Sequence, residues 1–416
     1  MNPQPEAALG AVVPRPAHTP FRSFWMGGFE GADHLNLHGE ALDMPRSSGH
    51  VDRLGEDYAG AAAHGLRTVR ESLGWRRTEA RRGQRDFGRA LAMTRAARHH
   101  GIQIVWSLMH YGTPADVSLL DDDVIPRLAE FAAATAAALA PWHDDACPPV
   151  YNPINEIGFV AWAATATGLL HPYGPHTRAP GDTRDHGYLL KRRLVRAALA
   201  ARQAILAVDP RARFLHIEPV VHVVAPAGQP ELAPLARQIS AYQWQAWDMI
   251  AGREAPELGG TPAALDLIGV NHYHNGQWEA VTGQPLHWHL YDPRRRPLSA
   301  LLRETWDRYE RPLILAETGH VGAGRALWLA DVAAEVHQAR REGVPVEGMC
   351  LYPLVDRHDW NDANHWHHSG LWDIAEPAGA PPTLIRHLHA AYADELARWQ
   401  ALLPHRSDPA DLQGTS

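Results

Sequence analysis

Two cysteines, Cys147 and Cys350, are all that 416 residues hold. That is too few for a disulfide framework or a cysteine-based zinc site. Lysine is scarcer still: Lys191 stands alone, and arginine is used everywhere else. Positive charge is in the minority, with 39 Lys and Arg against 47 Asp and Glu and a formal net charge of −8. No basic face for a nucleic acid is expected from that balance. Long apolar runs are also missing, since no stretch approaches the ~20 residues of a membrane span. The opening "MNPQPEAALGAVVPRPAHTP" has no basic start and only a short apolar run before Pro14, unlike a signal peptide. A soluble, cytoplasmic protein with neither nucleic-acid nor membrane partner is the expectation.

What is present is ordinary in bulk, 45% hydrophobic and 21% charged, but rich in 15 Trp and 27 His. Large aromatics serve cores, and Trp-rich clefts also suit flat, partly apolar ligands such as sugar rings. The length fits two medium domains or one large barrel. An alternation decides between them. β-branched, apolar runs occur at 23–29, 67–73, 103–109, 149–155, 213–219, 265–273, 312–318 and 348–355. Between them lie segments of helical spacing, including 86–100, 124–143, 188–208, 232–252 and 325–343. Strand-then-helix alternation implies parallel strands with crossover helices. Eight such units close a (β/α)8 TIM barrel. The competing doubly wound sheet would often carry a Gly-rich phosphate turn after its first strand, and "GGFEGA" lacks that spacing. The expected organisation is an N-terminal extension (1–20), one barrel domain (21–403) and a C-terminal tail (404–416).

A barrel concentrates chemistry at the C-terminal ends of its strands. The unusual residues fall there. Arg70 and Glu71 lie in strand two, His110 ends strand three, and Asn155 and Glu156 end strand four. Glu218 follows in strand five, Asn271 and Tyr273 in strand six, Glu317 in strand seven, and Tyr352 with Asp356 in strand eight. An ionised Glu156 at the end of a buried strand is costly unless something there requires it. Glu317, in "LILAETGH", is the partner the topology offers. Two carboxyls flanking one bond are what glycoside hydrolysis needs, one protonated near neutral pH and one ionised.

With these residues in place, the chain resembles the clan of retaining (β/α)8 glycoside hydrolases, as a distant relative of the family 1 β-glycosidases. The resemblance runs from about residue 21 to 373. "RTVRESLGWRRTEARRGQRDF" puts Arg70 on the family's active-site arginine, and "GIQIVWSLMHYGTP" puts His110 on its sugar-binding histidine. "NPINE" matches the Asn-Glu motif, which implies Glu156 as acid/base and Asn155 as the contact to the 2-hydroxyl. "IGVNHY" resembles the strand-six motif, bringing Asn271 and a Tyr273 that bonds the nucleophile. "LAETG", with Thr for the usual Asn, implies Glu317 as that nucleophile. "LYPLVDRHDWNDANHWHHSGLWD" is similar to the strand-eight region, with Tyr352 for a platform Trp, Asp359 for the sugar-gripping Glu, and Trp360 beside it. The strand-one glutamine has two counterparts, Gly28 by local similarity and Glu30 by strand-end logic.

The resemblance implies a β-glucosidase-like hydrolase of carbohydrate metabolism, acting through a covalent glycosyl-enzyme on a small glycoside or oligosaccharide, with no cofactor and no metal. Two other readings compete. A metal-dependent barrel hydrolase would draw on "HYH" (272–274), "HWHH" (365–368) and Glu218, because His-x-His on a strand points both imidazoles one way. A non-catalytic sugar-binding barrel would need a lost carboxylate, and both are present.

Overall fold

The computed structural model describes residues 19–143, 147–178, 181–375 and 384–404. The expected tail from 405 and the first 18 residues of the expected extension lie outside them. Eight parallel strands close on one another: β1 (Trp25–Gly28), β2 (Thr68–Ser72), β3 (Gln103–Met109), β4 (Val150–Ile154), β5 (Arg213–Pro219), β6 (Leu267–Asn271), β7 (Leu313–Thr318) and β8 (Val346–Leu351). Each pairs with its neighbours in sequence, and β1 pairs with β8, Met26 opposite Cys350. The expected (β/α)8 barrel is the fold.

Helices follow the strands: α1 (Leu54–Ala63), α2 (Gly88–His99), α3 (Val124–Leu139), α4 (Ile157–Ala166), α5 (His186–Val208), α6 (Gln245–Ile250), α7 (Leu298–Tyr309), α8 (Arg325–Arg341) and α9 (Ala390–Leu402). The segment expected as one helix over 232–252 is broken by a 3-10 turn at Tyr242–Trp244, between helix Ala233–Ala241 and α6. The stretch Val124–Trp142 qualifies the reading of apolar runs, being long and apolar enough to cross a membrane. Here it lies in the outer layer of helices, with Leu128, Phe131, Ala132 and Leu139 buried and α5 packed against it.

Side chains alternate along each strand. Met26, Val105, Val150, Leu215, Ile217, Leu267, Ile314, Ala316 and Cys350 fill the barrel, while Trp25, Trp106, Tyr151 and Phe214 face the helices. The interior is thus a packed core, as in other barrels of this kind. The layer at the C-terminal ends is polar and holds the site, while at the opposite end Thr68 bonds Gln103 at 3.1 Å.

Candidate active site

Two local departures from regular backbone aim the carboxylates. In β7 the pairing slips between Leu315 and Glu317, setting Glu317 opposite the inward-facing Asn271. Without that bulge the two-residue period from Ile314 and Ala316 would turn Glu317 toward the helices. Thr318 takes that direction instead and accepts from Trp328 Nε1 at 2.9 Å. Bulges re-aim side chains in this way. At the end of β4, Glu156 is left-handed (φ 51°), and its N–H donates to the Ile217 carbonyl at 3.1 Å. A glutamate in that region is strained and is held by its surroundings. Glu218 helps to hold it by accepting from Gly158 N–H at 2.8 Å, at the start of α4.

The two carboxylates have opposite neighbours. Glu317, 4% exposed, accepts from Arg70 Nη1 at 2.8 Å and from Tyr273 Oη at 2.8 Å. Asn155 Nδ2 lies 3.4 Å from the same Oε1 that Arg70 holds. Arg70 also donates to Asn155 Oδ1 (2.9 Å) and the Ala316 carbonyl (2.8 Å), and its guanidinium lies 5.4 Å from the centre of the Tyr352 ring. Among the described residues Glu156 has no cation in ion-pair contact. It accepts from Tyr111 Oη at 2.6 Å and Asn271 Nδ2 at 2.8 Å. Burial first, and the negative Glu317 second, raise its pKa to about 7 despite those donors. One carboxyl is therefore partly protonated at neutral pH while the other is ion-paired, the division that acid/base work requires.

His110 faces the same group, its Nε2 lying 3.2 Å from Asn155 Nδ2. Burial, then Arg70, push its pKa well below the usual range, so the ring is neutral and Nε2 can accept. Glu30, not Gly28, is the strand-one residue at the site. It is buried, ion-paired through Oε2 with Arg357 Nε at 3.1 Å, and its pKa is raised by burial. Gly28 serves the packing instead: a Cβ there would lie 2.3 Å from the Tyr352 ring. Tyr352 accepts from Gly31 N–H at 3.2 Å. Trp360 lies edge-on to His34 (4.9 Å) and Tyr111 (5.6 Å), with Arg357 at 5.7 Å from its ring.

One expected substrate contact, Asp359, is placed apart from the carboxylates. Asp359 is about one-third exposed, and its oxygens are taken within its own loop by Asn361 N–H (2.8 Å) and His367 Nε2 (3.2 Å). It caps that loop and joins none of the hydrogen bonds around the carboxylates. Asn271 donates through Nδ2 to Glu156 Oε1 at 2.8 Å, while its Oδ1 is buried at the site with no hydrogen-bond partner among the described residues. Sequence reasoning also missed Tyr111 as a member of the group, and the pairing of Arg357 with Glu30. Tyr111 directly follows His110, but only its left-handed backbone (φ 79°) brings its hydroxyl to Glu156.

Of the histidines of the metal reading, His272 and His274 are packed elsewhere, and only His368 enters a three-ligand group among the described residues. His272 stacks on Trp328 at 5.6 Å, His274 packs on His320 at 4.3 Å, and Glu218 caps α4. Among the described residues, Asp356, His368 and Asp373 form the one group with three ligand atoms within 4.8 Å of one another. Arg325 already donates to both oxygens of Asp373, at 2.8 and 3.1 Å.

No protein-family model matches the chain, and no curated protein matches it in sequence. Solved structures do match in shape. A hyperthermophilic β-glucosidase mutant is 16% identical, with a TM-score of 0.70 over 91% of this chain and 100% of that one. The family 1 β-glucosidase from Thermotoga maritima is 13% identical, with a TM-score of 0.66 over 90% and 97%. The AHE enzyme from Alicyclobacillus herbarius is 16% identical, with a TM-score of 0.69 over 92% and 99%. The chain has the fold of the family 1 β-glucosidases. At this identity the likeness is one of architecture, and the chemistry rests on the residues.

Proposed function

We propose that the protein is a retaining β-glycosidase in which Glu317 is the nucleophile and Glu156 the general acid and then the general base. The observation that carries this is the unequal partnering of two carboxyls at one barrel mouth. Glu317 has Arg70 and Tyr273, and Glu156 has neutral donors and a raised pKa. In the first step a Glu317 oxygen attacks the anomeric carbon while Glu156 gives its proton to the departing oxygen. In the second, Glu156 takes a proton from water, whose oxygen displaces Glu317 and restores both groups. Arg70 and Asn155 orient the nucleophile throughout. Structures of the Thermotoga maritima enzyme with glucoimidazole and deoxynojirimycin are among the fold's neighbours, and they favour a small sugar as the ligand class; we take it to be a neutral one. The Glu30–Arg357 pair supports that choice, because the cation there is already neutralised.

A panel of aryl β-glycosides, assayed with and without chelator, tests the reading. Chelator-insensitive hydrolysis is expected, and a 2-deoxy-2-fluoro glycoside should label the peptide bearing Glu317. A label on any other residue, or activity abolished by chelator, overturns it. Glu156→Ala should retain turnover best on activated leaving groups and, given azide, form the β-glycosyl azide. An α-azide would mean an inverting site.

A further inference from the structure

The shorter of the two hydrogen bonds to Glu156 comes from a side chain that nothing so far gives a part in the chemistry. Tyr111 Oη lies 2.6 Å from Glu156 Oε2 and 3.2 Å from Asn155 Nδ2. Asn155 Nδ2 in turn lies 3.4 Å from Glu317 Oε1. The two carboxyls are thus joined through one hydroxyl and one amide.

Proton counting fixes the direction of this chain. An amide nitrogen only donates, and a phenol has one proton and two lone pairs. Asn155 Nδ2 shares its two protons among His110 Nε2 (3.2 Å), Glu317 Oε1 and Tyr111 Oη, so in its contact with Tyr111 the phenol accepts and its own single proton goes to Glu156. Asn271 Nδ2 takes the other oxygen, Oε1, at 2.8 Å. Each oxygen of Glu156 then has one lone pair engaged and another left over. The backbone is bent to allow it. Tyr111 (φ 79°) and Glu156 (φ 51°) are both left-handed without being glycine, and their side chains meet. Strain of this kind persists where surroundings enforce it.

We propose that Tyr111 is a positioning residue of this site, its hydroxyl holding the Glu156 carboxyl so that its remaining lone pairs face the bond being broken. The proposal rests on the glycosidase reading and deepens it. When Glu156 has given its proton to the leaving oxygen, Tyr111 and Asn271 both stabilise the carboxylate that remains. When Glu156 takes the proton of water, both bonds persist, and Tyr111 keeps its own proton throughout. The ring has a separate packing role against His110 (4.7 Å), Phe159 (5.1 Å), Trp360 (5.6 Å) and His34 (5.9 Å). A phenylalanine would preserve that packing and remove only the hydroxyl. The charged and titratable groups acting on the pair are Glu317, Arg70, Glu30, Glu218, Tyr273, His110 and His34.

The test is the titration of Glu156 in the intact protein, followed by NMR of 13C-carboxyl-labelled glutamate and assigned with Glu156→Gln. Tyr111→Phe should raise the midpoint by about one pH unit, a tenfold gain in proton affinity. 3-Fluorotyrosine at position 111, a stronger donor, should lower it. On an aryl β-glycoside the alkaline limb of kcat/KM should move with the midpoint, with KM changed less than about twofold. A midpoint unmoved in Tyr111→Phe overturns the proposal. If that variant does not fold, the fluorotyrosine protein decides in the same way. Should the parent hydrolyse no β-glycoside, the glycosidase reading fails while the titration still decides whether Tyr111 governs Glu156.

Discussion

Glu156 and Glu317 are the same amino acid, and their difference lies entirely in what surrounds them. Burial and a negative neighbour carry Glu156 to about 7. A general acid must be protonated, so kcat/KM should fall as pH rises through about 7, and Glu156→Gln should lose that limb. A profile flat from pH 6 to 9 on a poor leaving group would contradict the assignment. Glu317→Gln should cost at least about a thousandfold in kcat, with substrate binding retained. The glycone end makes a contrasting pair. Asp359→Ala should change kcat/KM by less than about fivefold, since an exposed hydrogen bond within a loop contributes about 1 kcal/mol. Arg357→Ala should cost about tenfold or more, because it strands the buried Glu30 without its cation. Equal losses in the two variants would return Asp359 to the sugar. Sequence motifs made Glu156, Glu317, Arg70, Asn155 and Tyr273 legible because each sits at a strand end beside a recognisable neighbour. Tyr111 and Arg357 were not legible, for their parts depend on a positive φ and on an ion pair across 327 positions of chain.

Period two explains most of what a strand shows and fails where function needs it to fail. In β2 it puts Arg70 inside the barrel and Glu71 outside. Glu71 then meets His50 Nε2 at 2.9 Å and Tyr58 Oη at 2.7 Å. His50 Nδ1 continues to Asp57 at 2.7 Å, and Asp57 to Arg386 at 2.8 Å, on the strand Ile385–Leu388. This buried chain of charges pins the loop after β1, α1 and the C-terminal hairpin to the strand that carries Arg70. Burial pushes the His50 imidazole down, but Glu71 and Asp57 overcome it and raise its pKa to about 9. A raised histidine contributes fully below its unfolded pKa of about 6.5 and ceases to contribute as pH passes its folded value. His50→Gln should therefore lower stability by about 3–5 kcal/mol near pH 6, since one partner of a buried ionic network is lost. The deficit in thermal unfolding should shrink between pH 6.5 and 9. A deficit independent of pH would mean that His50 acts by packing alone, through its stack on Phe29 at 3.7 Å. No sequence pattern announces this network or the β7 bulge, because both are relations between elements.

At the scale of the molecule, the eight alternating units were legible because parallel strands buried on both faces read as continuous apolar runs. What the alternation does not reveal is how the barrel is fastened after its last strand. Seen from β8 the chain passes through the hairpin Trp372–Ala375 and Ile385–Leu388 before α9. α9 packs on α8, with His337 and Trp399 rings 6.3 Å apart, and buries Tyr392, Leu396 and Trp399. Just beyond it Leu403 is buried as well, and its carbonyl accepts from Trp25 Nε1 of β1 at 3.1 Å. The end of the fold is thereby tied to its first strand, next to the β1–β8 closure. Burying four such side chains contributes about 1.5–3 kcal/mol each, or roughly 6–12 kcal/mol as an upper estimate. That rivals the whole stability of an ordinary domain, about 5–15 kcal/mol. A chain ending at residue 389 should accordingly lose cooperative thermal unfolding and any glycosidase activity together. Trp25→Phe, which removes the N–H and part of the buried ring volume, should cost only about 2 kcal/mol and leave activity intact. A truncated chain that still melts cooperatively within a few degrees of the parent would show that the barrel closes without its last helix.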